Sequence, residues 1–92
     1  MFLIHYVMKF KVEINPFKQK ATVSTKVNNQ LHTIEIYYED IDEWNSFKVN
    51  GQEFDIQFHY DAEFLVSIYP IENDRIDYSK TCEVELTFKL TD

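Results

Sequence analysis

The chain has 92 residues, enough for one domain with a single core of modest size. At 45% hydrophobic and 16% aromatic it is too apolar to stay disordered, although 27% of its residues are charged. Its net charge of −7 argues against a sequence-independent grip on DNA or RNA, and against an electrostatic hold on an anionic membrane, since both need clustered Lys and Arg.

Residues 1–7 are apolar, but they lack a basic start, a long apolar run and a small-residue cleavage site, so they do not make a signal peptide. They fall far short of the roughly 20 residues of a membrane helix. Met8-Lys9-Phe10 would itself make an ordinary start, and residues 1–7 read as an N-terminal extension from an upstream start codon. From Met8 the pattern alternates with the period of a strand: Met8, Phe10, Val12 and Ile14 on one face, Lys9, Lys11 and Glu13 on the other. Phe2, Ile4 and Tyr6 continue the apolar phase, while Leu3 and Val7 make the beginning apolar on both sides. A strand of that kind is covered or pairs with another chain, which raises the expectation of a homodimer through the N-terminal strand.

Asn15-Pro16-Phe17-Lys18 reads as a turn, with the fixed φ of proline at its second position. Residues 21–27 form a second strand with odd positions inward, and Asn28-Asn29 closes a hairpin into a third strand over 31–38. A two-residue turn sets Val23 opposite Ile34 and Ala21 opposite Ile36, whereas one residue more would set Val23 against Glu35; the apolar pairing selects the shorter turn. Residues 39–46 break the alternation, and Tyr38, Ile41 and Trp44 recur every third position, so one short helical turn or a covering loop is expected near 40–45.

Asn50-Gly51, with the only glycine of the chain, is the strongest hairpin signal. It places Val49 opposite Gln52, Lys48 opposite Glu53 and Phe47 opposite Phe54. Phe54, Ile56, Phe58 and Tyr60 then face inward, against Glu53, Asp55, Gln57 and His59 outward. A three-residue loop at 61–63 pairs Tyr60 with Phe64, Phe58 with Val66 and Ile56 with Ile68. Pro70 lacks a ladder donor, so that strand ends near it or lies at an edge. After a polar connection over 72–80, the last strand carries Cys82, Val84, Leu86, Phe88 and Leu90 inward. About seven mostly antiparallel strands, each apolar on one face, make an all-β domain spanning residues 1–92: a small sandwich or a partly open barrel. Its length and strand count are those of an immunoglobulin-like sandwich, but the paired cysteines of antibody-type domains are missing and Tyr78 stands four residues before Cys82 rather than two.

The acidic run Glu39, Asp40, Asp42 and Glu43 is the foremost candidate for function. If consecutive strands run antiparallel, the loops at 15–20, 39–46 and 61–63 share one end, which adds Asp61 and Glu63 to the four carboxylates. Such an end attracts a basic protein surface, with Trp44, Tyr37 and Tyr38 as aromatic anchors; a solvated loop whose Trp caps the core is the plainer alternative. Calcium finds clustered oxygens here but neither the EF-hand pattern nor its glycine. His5, His32 and His59 have no metal-ligand spacing, so no zinc site is expected. Ser24, Ser46, Ser67 and Ser79 lie in no nucleophile elbow, and one glycine cannot build a phosphate-cradling loop. The lone Cys82 suits a reducing compartment and no Asn-x-Ser/Thr sequon occurs, which points to the cytoplasm. The expectation is a small acidic, non-enzymatic module without cofactor or metal that binds a basic protein partner, in the manner of inhibitor or immunity proteins. A DNA-mimic inhibitor of a nucleic-acid-binding protein ranks next, then a ligand- or metal-binding β-domain or a structural, oligomerising one.

Overall fold

The computed structural model describes residues 8–38, 45–60 and 63–90. Among these residues, eight strands form two four-stranded sheets packed face to face, with no closed barrel. The first sheet holds β1 (Lys9–Asn15), β2 (Lys20–Val27), β3 (Gln30–Tyr37) and β8 (Glu83–Phe88), in the order β3-β2-β1-β8. The second holds β4 (Asn45–Val49), β5 (Gln52–Tyr60), β6 (Phe64–Glu72) and β7 (Arg75–Ile76), in sequence order. The second sheet is thus a meander of consecutive strands, and the first is a three-stranded meander to which the last strand adds beside β1, unlike the interleaved sheets of an immunoglobulin domain. No helix among the described residues is long and apolar enough to cross a membrane.

The registers follow from turn chemistry and side-chain parity. Asn50 and Gly51 take φ of 50° and 84°, as a type I′ turn requires, and Val49, Lys48 and Phe47 face Gln52, Glu53 and Phe54 as expected. Asn28 and Asn29, at φ of 51° and 66°, set Val23 against Ile34 and Ala21 against Ile36. Tyr60 meets Phe64, Phe58 meets Val66 and Ile56 meets Ile68. In the turn after β1, the side-chain oxygen of Asn15 accepts the backbone N–H groups of Phe17 and Lys18, both at 3.1 Å.

The inward residues of the two sheets make one core. Phe10, Val12, Ile14, Ala21 and Val23 of the first sheet meet Phe54, Ile56, Phe58 and Ile68 of the second. Phe10 is fully buried, and the edge of its ring meets Phe54 at 5.2 Å and Phe47 at 5.7 Å between centroids. At the other end Tyr38 stacks on Phe58 at 4.9 Å, with Phe64 beside both. Thr25, buried on an inward position of β2, donates its hydroxyl to the carbonyl of Lys9 at 2.6 Å, so that hydroxyl is not orphaned.

Two expectations are corrected, that for residues 72–80 and that for the end of the last strand. The polar connection over 72–80 contains β7, because Asn73 and Asp74 adopt φ of 53° and 61° and close a further hairpin. β6 ends at Glu72, two residues past Pro70 and so near it, as expected. The Pro70 carbonyl accepts the Asp77 N–H at 2.9 Å, so the missing proline donor also faces the departing chain and costs β5 no ladder bond. β8 runs parallel to β1, with Phe10 opposite Val84 and Ile14 opposite Phe88; the chain crosses between sheets where Cys82 N–H donates to Ile68 and Glu83 N–H to Met8. Finally, Phe88 and Leu90 stand in the inward phase yet remain 46% and 72% exposed, although the Phe88 ring meets Phe64 edge-on at 6.0 Å; of the second sheet it is β6 that packs against β8. Residues 1–7, and residues 40–44 of the expected helical turn, fall outside the described residues. Over Lys9–Asn15 both edges of β1 are occupied, by β2 and β8.

Candidate functional site

Of the carboxylates expected to meet a partner, Glu39, Asp40, Asp42, Glu43 and Asp61 lie outside the described residues, as does Trp44. Glu63 is exposed at the bend before β6. The flanks of the two acidic loops do converge: Tyr38, just before the acidic run, lies 6.1 Å from Phe64, just after Glu63. Tyr37 is 60% exposed and free to meet a partner, while Tyr38 is committed to the core. Among the described residues no group of three His, Cys, Asp or Glu side chains could hold a metal ion. His32 is half-buried on β3, His59 is exposed on β5, and burial pushes the Cys82 thiol up to about 11.

The second sheet carries a different feature on its outer face. Asp55 stands in the outward phase of β5, yet only 1% of its surface is exposed. Ser46 and Tyr69 are its cross-strand neighbours, and the chain beyond β7 lies on the same face. Asp77 accepts the backbone N–H and the hydroxyl of Ser79, and Lys80 bonds to Glu72 at 3.1 Å, so residues 77–80 fold back into a compact clasp. The clasp lays Tyr78 over the sheet, where its ring meets Tyr69 edge-on at 4.9 Å. Gln57 links the layers: its amide donates to Asp55 Oδ2 at 2.9 Å and to the Tyr78 hydroxyl at 3.3 Å.

Between the clasp, the β7 hairpin and β4 runs an open groove of about 530 Å³ with Asp55 in its wall. Ser46 is the cross-strand neighbour of Asp55, and Glu53, Asp74 and Arg75 line the same groove. Three carboxylates against one guanidinium leave the lining net negative. The two apolar members, Ile71 and Ile76, face each other across the β6–β7 ladder.

Burial holds the Asp55 carboxyl above the ordinary carboxylate range, and the Gln57 hydrogen bond only partly offsets it. A carboxylate offers about four acceptor positions, and among the described residues Gln57 fills one. The clasp behaves in the opposite way: hydrogen bonds from Ser79 hold Asp77 below the ordinary range, and Glu72 raises Lys80. Asp77 therefore stabilises a surface structure, while Asp55 is a buried acid short of donors. A group bringing N–H donors and positive charge would complete its shell, whereas an anion would meet repulsion.

Strand phase alone assigns Asp55 to solvent, beside Glu53 and Gln57. The available signal is its residue type, since Asp in the middle of a nine-residue strand conflicts with local propensity, and such conflicts gather at functional positions. The chain matches no protein-family profile, no curated protein sequence and no solved structure.

Proposed function

We propose that the domain is a small acidic, non-enzymatic interaction module that binds a protein partner by taking one of its Lys or Arg side chains into the groove beside Asp55. The observation that carries this is the Asp55 carboxyl, 1% exposed, with Gln57 as its one donor among the described residues and a net negative groove around it. Buried acids with raised pKa values in concave sites are recurrent markers of function. The net charge of −7 supports the same partner chemistry, because it draws a basic surface in from a distance. Glu39, Asp40, Asp42, Glu43, Asp61 and Glu63 supply six of the sixteen acids behind that attraction. A cytoplasmic setting belongs to the proposal, supported by a single buried cysteine with no second one to pair with.

The test is an NMR titration with Nα-acetyl-arginine amide and Nα-acetyl-lysine amide, which carry the cation and little else. The amide signals of Ser46, Asp55 and Tyr78 should shift on addition, at millimolar ligand, and Asp55→Asn should abolish the shift. A variant carrying Glu39→Lys, Asp40→Lys, Asp42→Lys and Glu43→Lys should keep it. Shifts that vanish in that variant and persist in Asp55→Asn would move the contact to the acidic loop, and no shift in any protein would refute the groove.

A further inference from the structure

β3 is the outer strand of its sheet, and among the described residues it pairs with β2 alone. The two-residue turn at Asn28-Asn29 closes on the Val27–Gln30 pair, so Gln30, His32, Ile34 and Ile36 exchange the hydrogen bonds with β2. Tyr38 keeps the parity, donating its N–H back to Gln19 at 2.9 Å. The N–H and C=O groups of Leu31, Thr33, Glu35 and Tyr37 therefore point away from β2, along an edge that no other described strand pairs. Edges of this length are usually blunted by lysine, proline or a bulge. None occurs here: the one charged side chain of the four is Glu35, with Lys20 Nζ at 3.4 Å. Leu31 and Tyr37 stand on the outer face and are 65% and 60% exposed.

The strand is self-complementary about Ile34. Leu31 and Tyr37 lie three residues to either side, His32 and Ile36 two, Thr33 and Glu35 one. Outer residues can pair only with outer residues, which restricts two copies to a few registers. An axis at Glu35 would set two carboxylates opposite each other, and an axis at Thr33 would leave Tyr37 beyond the partner strand. An axis at Ile34 sets Leu31 against Tyr37 and Thr33 against Glu35, and those four residues are the ones whose backbone groups face the edge. We propose that two copies of this chain associate antiparallel through β3, Ile34 opposite Ile34, joining their four-stranded sheets into one. A second copy suits this edge better than an unrelated peptide because the apolar positions at its two ends complete each other only under the two-fold axis.

Each copy carries a charge of −7, so repulsion opposes the pairing and salt relieves it. Sedimentation equilibrium of the full chain should show a monomer–dimer equilibrium that tightens as salt is raised. Amide hydrogen exchange then identifies the surface. On going from dilute to concentrated protein, exchange at Leu31, Thr33, Glu35 and Tyr37 should slow at least about tenfold, while His32, Ile34 and Ile36 are protected throughout. The pair Leu31→Lys with Tyr37→Lys should raise the dissociation constant by about tenfold or more, since each lost cross-strand contact counts twice. Should that variant fail to fold, the exchange pattern of the wild type decides alone. A monomer at millimolar concentration and high salt would overturn the proposal. So would a dimer in which Leu31, Thr33, Glu35 and Tyr37 exchange at their dilute rates.

Discussion

Replacing Asp55 with Asn should stabilise the domain at neutral pH. The amide keeps the shape of the carboxylate and still accepts from Gln57, which lies 2.9 Å from Asp55 Oδ2. Two terms compete. Exchanging a charge-assisted hydrogen bond for a neutral one costs about 1 kcal/mol, whereas removing a buried ion recovers part of a desolvation penalty of several kcal/mol. Burial outranks the hydrogen bond at Asp55, so the net should be a gain of about 1 kcal/mol, in the usual range for relieving such a site. In a domain of this size that raises Tm by roughly 4–8 °C. The pH dependence identifies the cause. Because the folded pKa is raised, the protonated acid favours the native state: its stabilising contribution is complete below the unfolded value of 3.8 and is lost as pH rises through the folded pKa. The gain from Asp55→Asn should therefore be present at pH 7 and vanish below pH 3.8, in thermal melts followed by circular dichroism. An equal gain at every pH, or a loss at pH 7, would refute the electrostatic account of this site.

Three further outcomes follow from the fold. Gly51→Ala should cost about 1–2 kcal/mol in urea unfolding from backbone strain alone, since φ is 84° and a Cβ there meets nothing within 4 Å. Phe10→Ala should cost about 3–5 kcal/mol, because the ring is fully buried between Phe47 and Phe54; against a typical total of about 5–15 kcal/mol, partial unfolding at room temperature is expected by circular dichroism. Cys82 should resist iodoacetamide at neutral pH while the protein is folded, its thiol being buried and raised to about 11, and should react once urea unfolds the chain, as read by intact-mass spectrometry.

The hairpins were legible in the sequence because two local constraints coincide there. Asn50-Gly51 and Asn28-Asn29 tolerate positive φ, and side-chain parity then admits one register, so Phe47 finds Phe54 and Val23 finds Ile34. The Asn73-Asp74 hairpin uses the same chemistry but leads into a strand of two residues, too short for alternation to show. The parallel pairing of β8 with β1 left no local trace, since it depends on where the chain crosses between sheets after Ile76. Strand phase placed Phe88 and Leu90 inside because it gives a side but not the degree of burial. Asp55 shows the converse, an outward residue that is buried and shares its groove with a tyrosine more than twenty positions away in sequence. The acidic run and Trp44 were legible as a candidate surface, whereas the groove beside Asp55 arises only once Tyr78 folds back.

The most direct measurement is the titration of the Asp55 carboxyl itself, followed by carboxyl ¹³C NMR with and without Nα-acetyl-arginine amide. Without ligand, Asp55 should titrate above the 3.8 of an ordinary Asp, and saturating ligand should draw it downward, because the bound cation favours the ionised form. A carboxyl that titrates as an ordinary Asp, or one the ligand leaves unmoved, would contradict the assignment of this groove as a site for a cationic side chain.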